Sequence, residues 1–443
     1  MKTTCIRFLF LFFVPVWGYS QTNHPICGND LFSAMLHKHY PALQDNMDAT
    51  FEAALQASTP RSKEPLIVHV VVHVVWKEAA ENLDESIIQD QIRVLNEDFN
   101  RRNADTVNLR PVFQPEAGSP GIQFELADII RVQTDVEFAV DILGANLLPE
   151  VKHSALGGSD ALDTEQYLNI WVCNIQPIEI FGIVVGQILG FAFPPNNLPN
   201  WPENSGAPAP DEDGVVIDYR VFGSNNPNPI ENPDGSGNIT VKGRTPVHEV
   251  GHYFGLRHIW GDGGVLGPND CAQSDGIEDT PYANSQSAFD CDITRNTCPQ
   301  VESHYGVDMP DLIENYMDYA SEDCMNMFTR NQATLMQNVL LGPRSGLLTP
   351  FSAVNDLRDQ VALRIVPNPS DGQFVVKLET LHNTHASVRI LDAHGRVVMS
   401  RDKLTFSPGA HNISFEEGPL APGMYFVEIR TAQGSVAEKM IVY

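Results

Sequence analysis

The sequence predicts an α+β domain, built on a mixed, mostly parallel twisted sheet with a backing helix, followed by a small all-β sandwich. Three observations carry that prediction. A continuous β-branched run, Leu66–Trp76, reads as a strand buried on both faces. An amphipathic segment of helical period follows it, and shorter strand-like runs then alternate with loops. After Gly346 the composition shifts, and from Val361 to Tyr443 short alternating runs are separated by turn signals. At 443 residues the chain exceeds the size at which single cores stop growing, so two or more domains are expected.

The first residues read as an address. Lys2 and Arg7 flank the start of an apolar run, Phe8 to Trp17, and the small residues Gly18 and Ser20 follow. This is the pattern of a signal peptide over residues 1–20, cut between Ser20 and Gln21. The run is too short to span a bilayer and no later one is long enough, so no transmembrane segment is expected. Residues 21–62 are polar with helical patches, Asp30 to His39 and Asp48 to Ala57, and read as a propeptide ending near Arg61-Ser62-Lys63. The first folded domain then runs over residues 63–350 and the sandwich over 351–443.

Within the first domain the strand Leu66–Trp76 carries His69 and His73. In a strand their side chains stand roughly 13 Å apart, too far to share a metal, so they read as satisfied core or face histidines. Ser86 to Asn103 places Ile87, Ile88, Ile92, Val94, Leu95 and Phe99 on one helical face. Further strands are expected at Ile122 to Ala127, Tyr167 to Val172 and Val215 to Tyr219, with a Pro- and Asn-rich loop from Pro194 to Pro210. In the tail, Gln373 to Leu378, Ala386 to Leu391 and Met424 to Arg430 alternate as strands. Turn signals at Pro369–Gly372, His394-Gly395 and Ala421–Gly423 separate them. The tail has no cluster of ligand-type or nucleophilic residues.

The formal net charge of -28 would repel phosphate backbones, which argues against nucleic-acid binding. Of the seven cysteines, Cys5 leaves with the signal peptide. Cys271, Cys291, Cys298 and Cys324 crowd into a loop-rich stretch. In an oxidising compartment two disulfides are the favoured reading; a structural zinc knuckle is the alternative, disfavoured by the lack of C-x2-C pairs.

The chemistry is concentrated in Thr245-Pro-Val-His-Glu-Val-Gly-His-Tyr-Phe-Gly-Leu-Arg-His258. Thr245 is a natural N-cap and Pro246 suits the first helical position. His248 and His252 then lie one turn apart on one face, about 6 Å along the axis, and can bite one tetrahedral zinc ion. Glu249 sits beside the metal, placed for a water rather than for the ion. Gly255 lets the chain leave the helix and bring His258 back as third ligand. Three imidazoles leave one coordination position open, the mark of a catalytic site. One catalytic Zn2+ and peptide-bond hydrolysis are therefore expected, with Glu249 as base.

At these residues the sequence resembles a metzincin, the metallopeptidase clan with this extended motif and a later Met-turn. Asn315-Tyr-Met-Asp-Tyr-Ala320 matches the Met-turn, with Met317 as the floor beneath the metal. The match is most similar to the pappalysin family, including ulilysin. It is carried by Leu95–Phe99, Asp213–Asp218, Gly243–His252, Asn315–Tyr319 and Cys324–Thr329, and spans roughly Pro65 to Leu348. The resemblance implies an oxyanion role for Tyr319 and the pairings Cys271–Cys298 and Cys291–Cys324. It also implies structural Ca2+ after the zinc motif, where Asp275 and Thr280 are favoured and Asp279 is a further candidate. A pocket acid at Glu322, where the family pattern has Asp, implies preference for a basic residue just after the cut bond.

Cys27-Gly28 resembles the family's cysteine switch, whose thiolate fills the open zinc position and keeps the zymogen latent. A disulfide between Cys27 and Cys173 is the competing reading. Arg61 fits self-cleavage before a basic residue. The tail, through Val366–Gly372, Gly423–Val427 and Lys439–Tyr443, resembles the C-terminal sorting domain of the type IX secretion system. It implies export to the cell surface or beyond, with the secretion machinery as partner and proteins or peptides as substrates. A surface binding protein with a catalytically idle metzincin fold is the alternative of another class.

Overall fold

A computed structural model describes residues 25–29, 45, 49, 52, 65–140, 147–180, 183–195, 206–232, 237–261, 271–272, 274–348, 361–380, 384–392, 396–415, 420–431 and 434–443. The expected signal peptide, the patch Asp30 to His39, most of Asp48 to Ala57, Arg61 and residues 196–205 of the Pro194 to Pro210 loop lie outside them. No helix among the described residues is long and apolar enough to cross a membrane.

The first domain is organised by a central sheet. Among the described residues, six of its seven strands are β1 (Pro25–Cys27), β2 (Leu66–Trp76), β3 (Ile122–Gln133), β4 (Leu168–Cys173), β5 (Ile183–Ala192) and β6 (Val215–Asp218), in the spatial order β1-β5-β6-β4-β2-β3; the seventh, Ile178–Ile180, pairs antiparallel with β5. β2 pairs in parallel with both β3 and β4, and β6 pairs in parallel with β4. β5 runs antiparallel to β6. The sheet is thus mixed and mostly parallel. β2 is an interior strand, paired on both sides, and its β-branched side chains are nearly all buried. His73 within it is fully buried, bonded to Ser159 Oγ (2.8 Å) and Asn169 Oδ1 (2.9 Å) and stacked on Trp171. Burial pushes it down to about 4, so it is a neutral core residue.

Helix α1 (Glu85–Asp98) backs the sheet with Ile88 and Leu95 buried. It stops five residues before the expected end at Asn103. Arg101 takes a left-handed φ of 50°, and the Arg102 N–H closes back on the Glu97 carbonyl at 2.7 Å. β3 runs six residues beyond the expected Ala127, and β5 was not expected at all. Helix α2 (Arg244–Tyr253) carries the histidine motif, and helix α3 (Arg330–Leu341) follows the Met-turn.

The tail forms two antiparallel sheets. One is ordered β7 (Val361–Val366), β8 (Val375–Thr380), β11 (Gly409–Ile413). The other is ordered β10 (Val397–Phe406), β9 (Thr384–Asp392), β12 (Gly423–Thr431), β13 (Gly434–Val442). Their inward residues, among them Val376, Val388, Ile390, Val427 and Ile429, form a separate core.

Candidate metal centre

Helix α2 starts two residues earlier than the sequence predicts, with Gly243 as N-cap and Pro246 in its third position. Thr245 therefore is not the cap. Its hydroxyl donates instead to Glu322 Oε1 at 2.8 Å, because a carboxylate from another loop occupies the helix start.

Along the helix, His248 and His252 present their rings to the same point, with centroids 4.6 Å apart. The chain then turns at Gly255, whose φ of 92° favours glycine. That turn returns His258. His252 Nε2 lies 3.0 Å from His248 Nε2 and 3.1 Å from His258 Nε2. The outward nitrogens are fixed by the backbone: His248 Nδ1 donates to the Tyr316 carbonyl (2.6 Å) and His252 Nδ1 to the Leu256 carbonyl (2.8 Å). A carbonyl only accepts, so the protons sit on Nδ1 and the Nε2 lone pairs converge. Burial lowers His248 to about 3 and holds His252 well below the usual histidine range, which keeps both rings neutral. His258 is stacked flat on Trp260 at 4.4 Å. Buried, neutral, convergent nitrogen donors of this kind fit a zinc ion.

Met317 lies beneath, fully buried. A Cβ on Gly251 would come within 2.6 Å of its sulfur, so the helix needs glycine there for the two to pack. The turn is held by Asn315 Oδ1, which accepts the Met317 N–H (2.9 Å), and by Ser287, which donates to Asp318. Tyr319 stands at the rim, its ring 5.6 Å from that of His248.

Strand β1 adds to the sheet in parallel beside β5, aligning Ile26 with Ile188 and Cys27 with Gly190. It brings Cys27 to the centre: ligand atoms of Cys27, His248, His252 and His258 all lie within 4.8 Å of one another. The thiol donates to Glu249 Oε2 (3.4 Å) and the Cys27 N–H to Tyr319 Oη (2.8 Å). Asn29 fastens the strand through the Ala192 N–H, 2.9 Å from its Oδ1. Neither Cys27 nor Cys173 is in a disulfide. The other four cysteines form Cys271–Cys298 and Cys291–Cys324, which leaves no thiolates there for a zinc knuckle.

Glu322 is buried and lines the same pocket as Leu189, Glu249 and Tyr319. Asp275 is fully buried; its Oδ1 accepts from Thr280 Oγ1 (2.7 Å) and the Ile277 N–H (3.0 Å), whereas its Oδ2 has no hydrogen-bond partner among the described residues. Burial pushes Asp275 up to about 8. Asp279 faces elsewhere: its carboxylate caps α3, accepting from Thr329 Oγ1 (2.7 Å) and the Asn331 N–H (2.9 Å).

Sequence reasoning missed β5, the strand between β1 and β6 over the site, and with it Leu189 and Gly190. A Cβ at Gly190 would meet Glu249 Cγ at 2.9 Å and Ile217 Cδ1 at 3.0 Å. The signal was present in Ile183-Val-Val-Gly-Gln-Ile-Leu-Gly190, where glycines interrupt an otherwise strand-like run.

The comparisons agree with this geometry. Residues 236–341 match the family model described as pregnancy-associated plasma protein-A, and residues 364–443 match a secretion system C-terminal sorting domain. An extracellular metalloprotease of Pyricularia oryzae is 28% identical over 67% of this chain and 83% of its own length. Extracellular metalloprotease 1 of Coccidioides posadasii is 30% identical over 64% and 79%. Among solved structures, a mutant of Tannerella forsythia promirolysin aligns with a TM-score of 0.56 and 32% identity, over 73% of this chain and 96% of that one. Mature mirolysin in complex with a cleaved peptide aligns with a TM-score of 0.51 and 34% identity, over 66% and 97%. The sorting domain and the extracellular relatives place the protein outside the cell or on its surface, through type IX secretion. With its convergent histidines and these relatives, the chain belongs to the pappalysin family and is a secreted zinc metalloendopeptidase.

Proposed function

We propose that His248, His252 and His258 hold the catalytic zinc, that Glu249 is the general base and Tyr319 the oxyanion partner, and that Cys27 keeps the precursor latent. The observation that carries the proposal is the meeting of three imidazoles, the Glu249 carboxylate and the Cys27 thiol in one buried cluster. When bound, zinc acidifies water and polarises the scissile carbonyl. Glu249 accepts the proton of the attacking water and passes it to the leaving amine. Tyr319 Oη donates to the oxygen on which negative charge develops.

Latency follows from what β1 occupies. Its strand lies along β5, its thiol sits against the base, and its N–H engages Tyr319 Oη. An extended substrate needs the same edge and the same two groups. We read residues 1–20 as signal peptide, 21–62 as propeptide, 63–350 as catalytic domain and 351–443 as sorting domain. Glu322, on the pocket wall, favours a basic residue after the cut. The buried Oδ2 of Asp275, with Thr280 beside it, suits a structural Ca2+, whereas the hydrogen bonds of Asp279 commit it to capping α3.

A peptide library treated with the processed, zinc-loaded enzyme should be cut before Lys or Arg. Cutting without that preference would remove the role of Glu322. No zinc-dependent cutting at all would favour the reading as a catalytically idle surface binding protein. A Cys27→Ala precursor should be active before processing, and unchanged latency would remove the latch.

A further inference from the structure

We infer that Glu322 is a positioning residue for the reacting groups, because it caps the helix that carries them from outside that helix. Helix α2 has no side-chain cap of its own: its N-cap is Gly243, at φ 78°. The first turn of a helix leaves N–H groups without intrahelical acceptors. Here Glu322 receives them. Its Oε2 accepts the N–H groups of Lys242 and Arg244 (the latter at 3.1 Å). Its Oε1 accepts the Thr245 N–H (2.7 Å) and the Thr245 hydroxyl (2.8 Å). An anion at this end of a helix is also favoured by the helix dipole.

The attachment is double. Arg244 Nη1 donates to the main-chain carbonyl of Glu322 (2.6 Å), and Arg244 is held in turn by Asp105 (2.7 Å) and Asp98 (3.4 Å). The adjoining loop is tied down two residues later by the Cys291–Cys324 disulfide. His248 and Glu249 follow Arg244 by about one turn, so a shift of the first turn is passed directly to both.

This inference rests on the reading of Glu249 as the base, and it refines the substrate preference at the same site. Neither carboxylate oxygen of Glu322 is without a hydrogen bond. A basic substrate side chain would therefore meet the field of an anchored charge, and the residue would serve every substrate, basic or not.

The test uses the processed, zinc-loaded enzyme and two peptides that differ only in having lysine or alanine after the cut. Glu322→Ala should lower kcat roughly 10- to 100-fold on both peptides. KM for the alanine peptide and zinc per chain should stay unchanged, and amide hydrogen exchange at Arg244 and Thr245 should accelerate. Glu322→Gln keeps one acceptor oxygen, so it should lose the lysine preference with a smaller fall in kcat on the alanine peptide. A loss confined to the lysine peptide, or unaltered exchange at those amides, would overturn the inference. If Glu322→Ala does not fold, Glu322→Gln decides by the same two criteria. Wild-type protein that cuts neither peptide would defeat the functional reading, while the exchange measurement would still decide the cap.

Discussion

The two folded parts of this chain bury their side chains on different plans. In the tail, β7 alternates strictly between buried and exposed positions, and Ser370 and Thr380 are the buried polar residues among those described. The first domain buries its interior strand β2 on both faces and also buries ionisable groups, among them Lys152, Asp218, Glu249 and Asp275. Burying polar groups costs stability unless each is partnered. Among its described residues the sandwich largely avoids that cost. The first domain accepts it where side chains must be held neutral, convergent or out of water.

The contrast can be broken in several ways, and the largest effect should come from the metal centre. His258→Ala should reduce bound zinc from about one ion per chain to a small fraction of that, with loss of hydrolysis, because two histidines remain. Metal content by mass spectrometry checks it, and full zinc retention would contradict it. Gly190→Ala places a Cβ against Glu249 Cγ and close to the Val216 carbonyl. It should lower kcat/KM by roughly 10- to 100-fold while unfolding changes little, as expected for a small displacement of a reacting group.

Ile390→Ala should do the opposite. Ile390 is fully buried in the sandwich, so its truncation should destabilise that unit by about 3 kcal/mol and leave kcat/KM within about twofold. Urea unfolding beside peptide cleavage separates the two outcomes. The smallest effect should come from Lys152, whose ammonium lies over Phe193 at 4.3 Å and donates to the Glu212 carbonyl at 2.6 Å. Burial lowers it to about 7 from 10.5. The sign follows from linkage: between those values the unfolded chain binds the proton and the folded one does not, so stability rises with pH. The cost of burying the charge is thus full below about pH 7 and relieved by about pH 10.5. Lys152→Met should stabilise the protein by about 1 kcal/mol at pH 6, after the lost hydrogen bond is offset, and the gain should shrink by pH 9.

What the sequence made legible was local. The spacing of His248, Glu249, His252, Gly255 and His258 lies within one helix and one turn, so residue identity alone carries the geometry. The interior strand β2 was legible because burial on both faces leaves a continuous apolar run. Features joined across long separations were legible only through the family resemblance, as with Cys271–Cys298 and Cys291–Cys324, or not at all. Thr245 looked like a cap because local pattern favours it, yet the carboxylate at that helix end comes from Glu322, a partner far along the chain. β5 was hidden by Gly186 and Gly190, and the second of these is small because Glu249 packs against it. The resemblance to a cysteine switch singled out Cys27, but its seating beside β5 depends on pairing between segments that no local periodicity encodes.

The central claim is that Glu249 moves the proton in a zinc-dependent cut. It is tested most directly by comparing peptide hydrolysis by processed wild type and Glu249→Gln, each loaded to the same zinc content. The account predicts that the variant loses roughly 10²- to 10⁴-fold in kcat while zinc content and KM are retained, and that a chelator abolishes the wild-type activity. Hydrolysis by Glu249→Gln at the wild-type rate, or wild-type cleavage indifferent to the chelator, would contradict it.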